Sequence, residues 1–326
     1  MWRDAVFDVD DGAVRVVPEA SSSALPRLDG VVTGAFTDSH VHLQLVDERM
    51  LQHSALGTVV DLGGSPDVVR SIRDRFGVDS ASPRHDAEAG SAVHGVRVAF
   101  AGAFLTPPGG YPSDRTWAPE GSTREIADAD AAASAIAEMK LSGASCIKVA
   151  SNSTAGPVFS DELFSTIVEI ASSHGLSVIA HAEGPGEAMR ATRLRARLLA
   201  HAPFTERLTD DELSRMHGSI AWISTLAIHD GDAHRIAVDN VRRFHALGGI
   251  ILYGTDMGNG DTPVGLSHRE IAALRESGID GAALLRSLVP GDPATPAARL
   301  LFYPGATPTT ADPLRARLMT PDDLKA

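Results

Sequence analysis

Six residues of this chain could together hold metal ions, and each closes a short apolar run. His40 and His42 end the run 34–42, Lys148 ends 144–148, and His181 ends 176–181. His201 ends 196–201 and Asp256 ends 250–256. On a strand, residues two apart share a face, so His40 and His42 can offer two imidazoles to one ion. Imidazole and carboxylate suit zinc, with manganese, iron and cobalt as alternatives. His181 and His201 would individually read as satisfied rim histidines, but they end consecutive runs one strand–helix unit apart. Lys148 lies inside Cys146-Ile147-Lys148-Val149-Ala150, in a chain whose only other lysines are at 140 and 325. Its ammonium either snorkels to solvent or pairs with a carboxylate, or burial lowers its pKa and frees a reactive neutral amine.

The elements that must position these groups follow from the apolar pattern. Eight runs can be counted, at 35–43, 57–63, 95–105, 144–150, 176–182, 196–202, 220–228 and 249–256. Each is near-continuously apolar, as expected of strands buried on both faces. Helix-like segments lie between them: 123–141, one opening at Ser160, one opening at Thr209, and 232–247. Alternating strands and helices imply a parallel sheet, and eight strands imply an α/β fold of the (β/α)8 barrel type. All six residues would then stand at carboxyl ends of strands, on the face that carries active sites in such barrels. Residues 77–94 and 106–122 break the alternation. The second is too rich in Pro and Gly for a helix, and a long connection on that face is more often functional than idle. Residues 1–33 read as a β-rich segment, 34–299 as the barrel, and 300–326 as a tail packing with the first segment into a reduced accessory piece.

The order His-x-His, Lys, His, His, Asp resembles the signature of the amidohydrolase superfamily along nearly the whole chain. Phe36-Thr37-Asp38-Ser39-His40-Val41-His42 resembles its first-strand motif, and 142–149 the fourth strand of its binuclear members. The imidazolonepropionase-like and Xaa-Pro dipeptidase-like branch is the nearest in look, through 101–105 running into Pro108-Gly109-Gly110 and the short 181-to-201 spacing. Two features depart from that branch: Val32-Thr33-Gly34-Ala35 replaces a Pro-Gly, and His201-Ala202-Pro203 stands where Glu-His-Gly is typical. The resemblance implies two divalent ions, zinc first, held by His40, His42, His181, His201 and Asp256 and bridged by an N-carboxylated Lys148. It implies hydrolysis of a C–N amide bond (peptide, N-acyl or cyclic), or of an ester or lactone, by a metal-bridging hydroxide. Asp256 would be the acid–base residue. Tyr111, Arg115 and Trp117 are expected to cover the substrate, although a solvated Arg is the alternative at 115. Thr225 and His229, near the end of the seventh run, are expected to meet it too, with His229 reaching the scissile carbonyl or standing as a plain rim residue.

Two rival functions stay open. A mononuclear deaminase of a heterocycle shares most of the ligands but lacks the lysine and needs a Glu after the fifth-strand His; Glu183 and Glu187 are near, at offsets that do not match. A metal- or ligand-binding barrel without turnover is the other. The formal charge of −13, from 29 Lys and Arg against 42 Asp and Glu, argues against nucleic acid or an anionic membrane as partner. A small-molecule substrate remains, and a homo-oligomer is compatible. No apolar stretch reaches the roughly 18 residues of a membrane span, and the N-terminus does not read as a secretory signal. With Cys146 the only cysteine, a cytoplasmic location is expected, and that thiol reads as a small core residue.

Overall fold

The computed structural model describes residues 2–10, 12–17, 24–76, 95–291 and 299–325; the expected loop at 77–94 lies outside them. Phe36–Val41, Leu56–Asp61 and Arg97–Phe100 form one parallel sheet. Phe104–Thr106, Cys146–Asn152, Ser177–Glu183, Leu198–Leu199, Ala221–Ile223 and Ile251–Leu252 follow one another, also parallel, in a second. Backbone hydrogen bonds join the two sheets at both seams. Ser145 N–H donates to the Phe100 carbonyl at 2.8 Å. On the other side Ser39 N–H reaches Tyr253 O at 2.9 Å and His42 N–H reaches Met257 O at 2.7 Å. Eight strand positions thus run in chain order around a ring, the α/β barrel that the apolar runs predict.

Three expectations need correction. The third run is not one strand, because it breaks between Phe100 and Phe104. Gly102 there takes φ +78°, and a side chain on it would collide with the Met139 sulfur at 2.4 Å. The helix expected over 123–141 begins only at Ala129. Thr123–Glu125 instead pairs as an extra strand beside Phe104–Thr106, and the Asp128 carboxylate caps the helix on Ala131 N–H at 2.9 Å. The seventh run is extended only over Ala221–Ile223, with a 3-10 turn at Leu226–Ile228 before His229. Elsewhere the capping chemistry works as written: Ser160 caps Asp161–Ser173, and Thr209 with Glu212 makes a capping box on Asp210–Met216.

Helices pack outside the strands around one large apolar core. A second, small cluster of Leu62, Ala101, Cys146, Ile179, Ala200 and Ile223 draws on six strand positions. Cys146 and Ile179 lie two residues before Lys148 and His181, on the same strand faces, so this layer lies under those two side chains. Gly30–Gly34 pairs antiparallel with Leu300–Pro304, which pairs with Arg317–Leu318. Val6–Asp10 and Ala13–Val17 form a separate hairpin. Among the described residues no helix is long and apolar enough to cross a membrane.

Candidate metal centre

The six residues singled out by spacing converge and all six are buried, but Lys148 and His181 do not close their strands as expected: these continue in register with each other to Asn152 and Glu183. One half of the site is His40, His42 and Asp256, whose ligand atoms lie within 4.8 Å of one another. His40 Nδ1 lies 2.8 Å from the Ala200 carbonyl and His42 Nδ1 lies 3.0 Å from the Gly63 carbonyl. A carbonyl only accepts, so both Nδ1 atoms carry hydrogen and both Nε2 atoms are turned inward. These approach Asp256 Oδ1 at 3.2 and 3.0 Å, yet that oxygen is fully buried and has no hydrogen bond of good geometry. Burial, then the Lys148 charge, holds His40 well below its ordinary pKa, which keeps its Nε2 lone pair free. Burial also opposes protonation of His42, but the Asp256 carboxylate outweighs it and raises that pKa. Three potential ligand atoms lie around one point, spaced like ligands of a single ion, and a divalent cation there would take the place of a proton on His42 Nε2.

The other half adjoins it. The His40 and His201 rings are 4.7 Å apart, and His201 meets His181 edge-on at 4.9 Å. His201 Nδ1 is 2.9 Å from the Thr225 hydroxyl, while His181 Nε2 is 3.0 Å from Glu183 Oε2. Burial holds His201 well below its usual pKa. Lys148 Nζ lies 3.4 Å from His40 Nε2, and burial lowers its pKa from 10.5 to about 8. Among the described residues no carboxylate lies at ion-pair distance from it, and it is buried, so it neither snorkels to solvent nor pairs with an acid.

Local backbone geometry holds these groups in place. Asp256 takes φ +55°, a left-handed turn that Asp tolerates and that swings its carboxylate inward off the strand. Asn259 fastens it, donating Nδ2–H to Oδ2 at 2.8 Å. Asp38, which the first-strand motif includes but spacing alone assigns no role, accepts from His40 N–H, Thr255 N–H and the Thr255 hydroxyl at 3.1, 3.1 and 2.6 Å. It ties the first strand to the turn that carries Asp256, and burial pushes its pKa up to about 7. Asp61 accepts from Leu43 N–H and Gly63 N–H, shaping the backbone on either side of His42.

The loop 106–122 does lie over the site. Tyr111 stacks on His181 at 5.2 Å, and Trp117 stands against Tyr111 and Phe104. Arg115 is paired with Asp114 and leans on the Tyr111 ring, partly exposed. Thr225 is fully buried and bonded to His201, so it is placed to hold that ring rather than to face open space as expected. His229 packs on Phe204 at 4.1 Å, and its Nε2 is buried without a hydrogen-bond partner. Burial lowers its pKa to about 4, leaving it neutral. Sequence reasoning missed Phe204 and the bond of Glu183. The second had a signal: Glu183 follows His181 by two on one strand, hence on one face.

No protein-family profile and no curated protein matches the chain. Solved structures do resemble it. A Xaa-Pro dipeptidase with methionine bound in its active site is 18% identical with a TM-score of 0.63, over 98% of this chain and 93% of that one. A prolidase complexed with N-methylphosphonate-L-proline is 17% identical with a TM-score of 0.65, over 96% and 92%. The ochratoxinase of A. niger is 16% identical with a TM-score of 0.68, over 98% and 90%. At that level of identity the likeness establishes architecture, and the chain has the fold shared by amidohydrolases and Xaa-Pro dipeptidases.

Proposed function

We propose that this chain is a metal-dependent hydrolase of the amidohydrolase type, cleaving a C–N amide bond of a small molecule, or an ester or lactone. One observation carries the reading most: the buried, unbonded Asp256 Oδ1 facing two inward Nε2 atoms, a constellation that a cation satisfies. The fold likeness to dipeptidases and prolidases supports it.

His40, His42 and Asp256 would hold one divalent ion, zinc first, and His181 with His201 a second. Bound there, such ions make water nucleophilic at neutral pH and polarise a carbonyl. Lys148 would join the two halves after its neutral amine adds to carbon dioxide, forming an N–C bond and losing one N–H proton to solvent. The Asp256 carboxylate takes the proton of the attacking water and returns it to the leaving nitrogen. His229, neutral and with a free Nε2, supplies a hydrogen bond to the carbonyl oxygen as it gains charge. Tyr111, Trp117 and Phe204 form apolar walls over the reacting bond, and Arg115 stands at the rim for an anionic substituent.

The test is protein grown with zinc and bicarbonate, analysed for metal and offered dipeptides, N-acyl amino acids, cyclic amides and lactones. Near two ions per chain and turnover of one class are expected. One ion with ammonia released from a heterocycle would transfer the reading to a deaminase. Protein that takes up no divalent ion would end it.

A further inference from the structure

Four histidines meet at the centre, and one is held the opposite way round. His40, His42 and His201 are tied through Nδ1, to Ala200 O, Gly63 O and Thr225 Oγ1. His181 is tied through Nε2, to Glu183 Oε2 at 3.0 Å. That oxygen is itself fixed. Asn152, the register partner of Glu183 on the neighbouring strand, donates Nδ2–H to it at 2.7 Å. The Asn152 amide cannot turn over, because its Oδ1 already accepts from Thr154 N–H at 3.0 Å and from the Thr154 hydroxyl at 2.7 Å. Backbone N–H only donates, so the order of donors and acceptors is set from Thr154 through Asn152 to Glu183. The carboxylate at the end of the chain can only accept, and His181 must donate Nε2–H.

We propose that Glu183 is a positioning residue that locks His181 in its Nε2–H tautomer and so leaves the Nδ1 lone pair free for a metal. It rests on the metal-centre reading above, and it adds a residue that neither motif nor spacing assigns a role. Carboxylates that accept the second N–H of a ligating imidazole fix ring orientation and raise its basicity. Here the device is built from residues two apart on one strand and one on its neighbour, so the orientation follows from strand register rather than from a loop.

The decisive measurement uses long-range proton–nitrogen spectra of histidine-labelled protein stripped of metal, together with zinc titration against a chelator. In the parent, His181 should show the Nε2–H pattern without any metal. Glu183→Leu should convert it to a mixture or to Nδ1–H and weaken zinc at one of two sites by about 10–100-fold, the range for loss of such a partner. The His40 and His42 signals should hold. Glu183→Gln keeps an acceptor where Oε2 stood, so it should retain the tautomer and most of the affinity. An Nδ1–H His181 in the parent overturns the proposal. So does a Leu variant with unchanged tautomer and unchanged zinc affinity, or a Gln variant as impaired as Leu. Should Glu183→Leu fail to fold, the parent tautomer and the Gln variant still decide. The readout is independent of turnover, so loss of the hydrolase reading alone would leave these spectra unchanged.

Discussion

Gly254 shows how closely the barrel wall presses on the site, and Gly254→Ala tests it. A methyl at this position would lie 2.3 Å from Ile223 Cγ2 and 3.2 Å from both Cβ and N of His40. Ile223 and His40 are buried, and Cγ2 is a branch at Cβ rather than a mobile side-chain end. Something must therefore move by most of an ångström. Overpacking of this kind costs about 1–3 kcal/mol. The shift would reach His40 on one side and the Thr255-Asp256 turn on the other, so zinc content should fall with stability. Ile223→Ala removes the clashing methyl and by itself costs about 2–5 kcal/mol through the cavity it leaves. In the double variant the methyl introduced at position 254 occupies part of that cavity. Its destabilisation should then be smaller than the sum of the singles by about 1–3 kcal/mol, a coupling that a double-mutant cycle reads directly. Urea unfolding midpoints and metal analysis on the four proteins suffice. Simple additivity, or a Gly254→Ala protein as stable and as zinc-loaded as the parent, would refute the close-packing account.

Other outcomes concern the chemistry. Lys148→Ala should lose activity and one metal ion, with partial rescue by added short carboxylates; an unmodified amine in metal-loaded, bicarbonate-grown protein would contradict carboxylation. Asp256→Asn should keep the fold and most of the metal while turnover falls by about 10²–10⁴-fold, the scale of general acid–base catalysis; near-normal turnover would place the proton elsewhere. Replacing Tyr111, Arg115 and Trp117 together with Ala should raise KM or change substrate preference without altering metal content, as loss of uniform binding does. A triple variant indistinguishable from the parent across a substrate panel would move recognition to Phe204 and His229.

The metal-ligand pattern was legible in the chain because it depends on order and period alone. Apolar runs ending in His, Lys or Asp predict strands whose polar side chains gather at one site, and all six do gather, although the strands carrying Lys148 and His181 run on to Asn152 and Glu183. Element boundaries were less legible. Thr123–Glu125 has nothing in its own residues to oppose a helix, and it became a strand because Phe104–Thr106 offered an open edge for pairing. Thr225 reads from the sequence as a substrate contact, since only the fold buries it against His201. The sequence alone determined which groups are candidates for metal and which strands or strand ends carry them. Tertiary structure decided which nitrogen His40, His42 and His201 turn inward, because that choice depends on partners distant in sequence such as the Ala200 carbonyl 160 residues from His40. A hydrogen bond is directional and short-ranged, so it exists only after packing has brought both ends to within about 3 Å.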